Sequence, residues 1–154
     1  MYKVEFHIYH KTCWGSQISI KFPNHQHSSI DCRWIKNKVA HILHARGKAE
    51  EFKDIISYLK KRQDILKVEV LSKDEQNLYL RVLTKKGKHT SQFSDFFFSH
   101  GCFPVVPTRF EGKYEIWTLG TSKKVNITKI YEELKINHPL KINYLKKETL
   151  NEPL

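Results

Sequence analysis

Apolar and polar side chains alternate over residues 2–9, which is the pattern of a strand with one buried face. The apolar side chains of Trp14, Ile18 and Phe22 then recur every four residues and predict a short helix before a proline. The segments that follow predict a hairpin, an amphipathic helix and another strand, over residues 30–45, 50–62 and 66–71. The first half therefore reads β-α-β-β-α-β.

The second half repeats this order. Alternation predicts a strand over residues 78–82, and a phenylalanine cluster predicts a helix that ends near Gly101. A hairpin with its turn at Glu111-Gly112 follows. An amphipathic helix over residues 125–136 and a strand over 140–144 complete the second set of elements.

The repeated order predicts an α+β protein of two consecutive ferredoxin-like units, each with an antiparallel sheet. Such units are compatible with side-by-side, ACT-like pairing. The first unit spans residues 1–74, the second spans 75–147, and residues 148–154 form a polar tail. The duplication rests on the order of elements, since residue identity between the halves is low.

Composition narrows the class of protein. A chain of 154 residues with 40% hydrophobic and 28% charged residues is that of a folded globular protein. No window approaches the roughly 18 apolar residues of a membrane span, and the N-terminus does not read as a signal peptide. We therefore expect a cytoplasmic protein with no membrane contact, whose three cysteines are reduced.

The chain is strongly basic, with 27 Lys and Arg against 16 Asp and Glu and a net charge of +11. Such a surplus favours contact with nucleic acid or another polyanion. The charge is spread over both halves, however, so no single arm or unit concentrates it. A solvated basic surface is the alternative interpretation.

Possible metal ligands gather near the predicted first helix. His10 and Cys13 are three residues apart, and a ferredoxin-like topology would bring His41 close to them, as a set suited to a soft transition metal. Cys32 is expected nearer the opposite edge of the sheet. Because the chain has no Cys-x-x-Cys pair, buried cysteines and surface histidines are the alternative.

A redox or ligand sensor is the second interpretation of the cysteines. Cys13 lies at the predicted start of a helix, where the helix dipole and free amides lower the pKa of a thiol. Trp14, Cys32 and Cys102 complete this candidate sensing set. Free cysteines are also among the most buried residues, so a place in the core is the competing interpretation.

The remaining histidines and the phenylalanine run give weaker indications of a functional site. His25 and His27 are expected to be solvated in a loop, and His41 and His44 to lie on opposite faces of a strand. Of the three phenylalanines 96–98, two would be core residues of a helix. No serine triad, nucleophile elbow, P-loop or dinucleotide fingerprint is present, so we expect no enzymatic activity.

Five short motifs resemble the N-terminal region of archaeal bacterio-opsin activator-like regulators. They are His10-x-x-Cys13-Trp14, Ser19-x-x-Phe22-Pro23, Asp31-Cys32-Arg33, Ser99-His100-Gly101-Cys102-Phe103-Pro104 and Glu115-Ile116-Trp117-Thr118. The resemblance implies a regulatory region that precedes a DNA-binding helix-turn-helix. Because this sequence ends at Leu154, we expect DNA contact through a C-terminal domain that it does not contain.

The sequence thus predicts the sensor or effector domain of an archaeal transcription regulator, acting as a homodimer and responding to a ligand, metal or redox signal. Two alternatives remain. One is a basic module that binds nucleic acid directly. The other is an amino-acid-binding, ACT-like module that uses the loops near Gly15 and Gly87.

Overall fold

The computed structural model describes residues 1–9, 13–85, 93–138 and 140–145, the last segment by its backbone. Four strands and two helices come from the first half of the chain. They are β1 (Tyr2–Tyr9), α1 (Trp14–Lys21), β2 (Gln26–Ile35), β3 (Lys38–Arg46), α2 (Phe52–Lys60) and β4 (Ile65–Lys73). A 3-10 turn over Ala49–Glu51 leads into α2.

The second half supplies the remaining elements. They are β5 (Asn77–Lys85), α3 (Phe93–Ser99), β6 (Phe103–Pro104), β7 (Thr108–Glu111), β8 (Tyr114–Thr121), α4 (Lys124–Asn137) and β9 (Leu140–Leu145). The predicted elements are thus found in their predicted order. The predicted tail 148–154 lies outside the described residues.

The strands form one antiparallel sheet in an α+β fold. Eight strands run in the order β4-β5-β3-β2-β7-β8-β1-β9, and the short β6 pairs with β8 beside this path. The two sets of strands meet where β2 pairs with β7, with Ser28 opposite Arg109 at the middle of that ladder. We call this junction the seam.

Each half of the sheet is a split βαβ arrangement, in which a helix joins two parallel strands and a third strand lies between them. Strands β3 and β4, joined by α2, have β5 between them. Strands β8 and β9, joined by α4, have β1 between them. The first strand of each half of the chain therefore lies among the strands of the other half.

Two hydrophobic cores lie on the same face of the sheet. In the first core, α1 and α2 pack on β3, β4 and β5 through residues such as Ile18, Leu43 and Ile55. In the second, α3 and α4 pack on β1 and β8 through residues such as Phe6 and Phe97. Helix α1 therefore packs in the first core with α2, and α3 packs in the second core with α4.

Strand β2 begins earlier than the sequence predicts. Alternation predicts a strand from Ile30, whereas the ladder with β3 starts at the pair Gln26 and Arg46. A register shift between Ser29 and Asp31 interrupts the ladder. Because a bulge inserts one residue, it hides the alternation of the residues before it.

Within the described residues, no helix is both long and apolar enough to span a membrane.

Candidate functional site

The start of α1 places a thiol against a buried carboxyl group. Cys13 occupies the position immediately before the helix, and its Sγ lies 3.7 Å from Oε2 of Glu115 on β8. Helix α1 itself lies over β2 and β7, so this contact is made at the seam. We call Cys13 and Glu115 the thiol–carboxyl pair.

Glu115 points into the protein from the face of β8 that carries the cores. Its side chain shares that face with Trp117, whose indole Nε1 donates a hydrogen bond of 2.9 Å to Glu115 Oε1. Burial raises the pKa of Glu115 to about 7, and the hydrogen bonds from Trp117 and Cys13 oppose that rise. This carboxyl group therefore changes charge near neutral pH.

The pKa of Cys13 moves in the direction opposite to that expected from a helix N-terminus. Burial, and then the charge of Glu115, raise it to about 12, although hydrogen bonds involving Ser16 and Gly15 oppose the change. The thiol consequently stays protonated at neutral pH. Thiolate chemistry at Cys13, on which the redox interpretation depends, is disfavoured by this environment.

Trp14 and His41 pack beside the thiol–carboxyl pair. The two rings meet edge to face, with centroids 5.2 Å apart, and Trp14 also contacts Phe110 at 6.2 Å. Loss of hydration lowers the pKa of His41 to about 4, so the imidazole is neutral at physiological pH. His44 lies on the opposite face of β3, as predicted, and stacks on Tyr79.

Cys32 is closer to this group than the sequence suggested. It was expected near the other edge, but it pairs directly with His41 across the β2–β3 hairpin. Because β2 extends to Ile35, Cys32 lies near the turn and not near the start of the strand. Partial desolvation, then the charges of Asp31, Glu115 and Asp95, raise the pKa of Cys32 to about 11.

Cys102 lies apart from the other candidates. It is 1% exposed and belongs to the second core, with α3 and α4, whereas Trp14 belongs to the first core. Of the other candidates, Cys13 contacts Glu115, Cys32 feels the charge of Glu115, and Trp14 packs on His41. Cys102 fits the competing interpretation of a core cysteine.

A metal site is not visible in the part of the chain that the structure describes. His10, the first of the predicted ligands, lies outside the described residues. Among those that are described, no three histidine, cysteine or carboxylate side chains are close enough to hold a metal ion. Cys13 and His41 therefore do not form the predicted set with a third described ligand.

The amino-acid-binding, ACT-like alternative predicts a binding site in the loops near Gly15 and Gly87. Gly15 is a residue of α1, not of a loop, and a Cβ atom placed on it would lie 2.4 Å from the ring of Phe110. Its missing side chain lets the helix approach β7. Gly87 lies outside the described residues.

Two buried histidines contradict the sequence analysis. His25 and His27 were expected to be solvated, but they are 6% and 2% exposed. His25 Nε2 donates to the carbonyl oxygen of Lys48 at 2.9 Å, and its Nδ1 lies 3.0 Å from Glu51 Oε2. Since β2 begins at Gln26 and the 3-10 turn folds over its start, these imidazoles are enclosed.

Glu115 lies in one of the five motifs, but nothing in its sequence context marks it as a site residue. Strand β8 is buried on both faces, with Ile116 and Leu119 on opposite sides. Alternation therefore could not show which way Glu115 points. In a strand, every second residue lies on the same face, so Glu115 shares a face with Trp117 and Leu119. This spacing is the sequence feature that indicates an apolar surrounding for the carboxyl group.

No family model, curated protein or solved structure matches this chain.

Proposed function

We propose that this chain is the sensor or effector region of an archaeal transcription regulator, and that the thiol–carboxyl pair is its responsive element. The observation that carries the proposal is the buried Glu115, held between the Cys13 thiol and the Trp117 indole. DNA would be read by a helix-turn-helix that follows this region, as the resemblance implies. This chain would detect the signal through the thiol–carboxyl pair.

A duplicated ferredoxin-like architecture with exchanged first strands is part of this proposal. The strand order supports it. If each strand is exchanged with its counterpart, β1 with β5, β2 with β7, β3 with β8 and β4 with β9, the new order is the original order read from the other end. Buried residues also recur at the same spacing in the second helix of each half. They are Phe52, Ile55 and Leu59 in α2, and Ile127, Ile130 and Leu134 in α4.

This relation makes the carboxyl group unusual. Ser28 and Arg109 face each other in the β2–β7 ladder and are equivalent in the two halves. The residue after Ser28 pairs with Leu43 on β3, and the residue after Arg109 pairs with Glu115 on β8. The two halves therefore have a fully buried leucine and a buried carboxyl group at equivalent positions. Since a buried carboxyl group destabilises a core that leucine would stabilise, a functional role is the simplest account of Glu115.

The geometry supports a route from this group to the rest of the molecule. When Glu115 loses its proton, a charge appears beside the Cys13 thiol that precedes α1. Helix α1 contacts β2 and β7, the strands that join the two halves. A proton or ligand that changes this contact therefore biases the packing of α1 at the seam.

Transcript measurements in the organism that carries the gene test the regulatory role. We expect a chromosomal Glu115→Gln change to alter the same transcripts as deletion of the gene. Glu111→Gln is the matched control, because it makes the same chemical change at an exposed position of the same hairpin, and we expect wild-type transcripts from it.

Two results would count against the proposal in different ways. If deletion leaves the transcripts unchanged, the protein is not a transcription regulator. If deletion changes them but Glu115→Gln behaves as wild type, the regulator does not respond through the thiol–carboxyl pair.

A further inference from the structure

Among the residues that the structure describes, strand β4 forms an open edge of the sheet. It pairs with β5 on one side and ends the strand order on the other. An open edge offers unpaired backbone N–H and C=O groups to another strand. Three apolar side chains on it are exposed: Leu66 by 42%, Val70 by 48% and Leu71 by 47%.

The regular part of this edge is short. Register shifts between Ile65 and Lys67 and between Val70 and Ser72 leave Leu66 and Leu71 without partners on β5. The segment from Lys67 to Val70 lies between these two bulges and follows the ladder without interruption. Bulges usually discourage pairing at an edge, so they restrict any added strand to this segment and its neighbours.

The sequence of the segment is self-complementary. Lys67 and Glu69 flank Val68, and apolar Leu66 and Val70 flank those charges in turn. In an antiparallel pair centred on Val68, Lys67 of each copy lies opposite Glu69 of the other. Opposite charges in directly facing positions stabilise antiparallel pairs, and the same twofold axis sets Leu66 against Val70.

We propose that a second copy of this chain binds along β4, antiparallel and centred on Val68, to form a twofold-symmetric dimer. The interface is isologous, since the same strand serves both copies and the assembly closes at two. Glu69 is already held on the open face by Lys67, at 2.8 Å, and by Arg81. Glu69 therefore lies on the face of the sheet opposite the cores, the face on which the partner's lysine would also lie.

The other edge of the sheet does not share this complementarity. Strand β9 reads Leu-Lys-Ile-Asn-Tyr-Leu over residues 140–145, and β4 reads Leu-Lys-Val-Glu-Val-Leu over 66–71. The residue at the position of Glu69 is Asn143. Self-pairing of β9 in the same register would set lysine against asparagine, without charge pairing. The dimer therefore uses β4.

Sedimentation equilibrium of the full chain, up to about 1 mM protein, tests the interface. We expect a wild-type dimer that dissociates on dilution. Lys67→Glu and Glu69→Lys each place like charges opposite one another twice and should raise the dissociation constant at least tenfold. The variant with both changes restores opposite charges and should dimerise as wild type does.

Mixing the two single variants gives the sharpest result. Lys67→Glu and Glu69→Lys chains, each monomeric alone, should form a heterodimer on mixing, because every charge then faces its opposite. Lys73→Glu is the matched control: it makes the same change on β4 beyond the regular segment and should leave the dimer intact. Circular dichroism confirms that each variant is folded.

Four results would overturn the proposal. They are a wild-type chain that stays monomeric at the highest concentration, a dimer that Glu69→Lys leaves unchanged, single variants that do not associate on mixing, and assemblies that grow beyond the dimer. The first excludes the interface outright, and the others assign association to a different surface or register.

Discussion

Glu115 and its neighbours show how one buried acid can make a fold sensitive to pH. Its pKa is about 7 in the folded protein and 4.5 in the reference state. A raised carboxyl pKa means that the folded state prefers the protonated form. Stability is therefore lost as pH rises from about 4.5 to about 7, by up to ~3 kcal/mol. Above neutrality the carboxylate accepts stronger hydrogen bonds from Cys13 and Trp117, because both bonds favour its ionised form.

His27 produces the opposite dependence on pH. Burial lowers its pKa, and its Nε2 donates a hydrogen bond of 3.0 Å to the carbonyl oxygen of Phe22. A lowered histidine pKa makes stability fall as pH drops below 6.5. We expect His27→Gln, whose amide can keep the hydrogen bond, to reduce the loss of stability between pH 7.5 and 5.5, by at most about 1.4 kcal/mol for the one pH unit below the unfolded pKa. Urea unfolding at both pH values measures it.

His100 is the internal control for this measurement. The Phe96 carbonyl, then Glu133, raise its pKa, so its protonation stabilises the fold. His100→Gln should therefore make the acid loss slightly larger, not smaller. An acid loss that His27→Gln leaves unchanged would show that His27 is not the group responsible.

Helix α1 is the element on which the site depends. Its amphipathic spacing was readable from the sequence, but its contact with β7 through Gly15 was not, because a close approach leaves no periodic signal. Cys13 is half-buried at its start, and Trp14 packs in the first core. The position of the thiol is thus fixed by how closely the helix sits on the sheet.

Gly15→Ala tests this dependence. The added Cβ would lie 2.4 Å from the Phe110 ring, and we expect a loss of about 1–3 kcal/mol from overpacking, which exceeds the gain in helix propensity. The loss should be smaller in a Phe110→Leu background, where the ring is gone. Lys21→Ala on the exposed side of α1 is the control. Equal losses in both backgrounds would contradict the contact.

At the scale of the molecule, periodicity predicted the elements but not their neighbours. Alternation shows which residues of a strand share a face, and β1 reads the same whether it lies beside β3 or between β8 and β9. The place of β1 between β8 and β9, and that of β5 between β3 and β4, therefore could not be predicted. The distance between Cys32 and His41 could not be predicted either, because it depends on where β2 and β3 begin and end. The division at residue 74 stays a prediction.

Cutting the chain tests how the halves depend on one another. Residues 1–74 contain β1 without the strands β8 and β9 on either side of it, and β3 and β4 without β5. We expect a fragment of residues 1–74 to show no cooperative unfolding alone, and to regain it when mixed with residues 75–154. Independent folding of the first fragment would contradict the dependence of β1 on strands β8 and β9. Circular dichroism during thermal unfolding is sufficient.

The central claim is that Glu115 titrates near neutrality and that α1 responds. The Trp117 indole N–H donates to the Glu115 carboxyl group, so its ¹⁵N and ¹H chemical shifts report that ionisation directly. We predict a transition with a midpoint near 7, shared by the backbone amides at the start of α1 and absent in Glu115→Gln. Shifts of the indole that stay flat between pH 5.5 and 8.5, or α1 amides that do not follow them, would contradict the account.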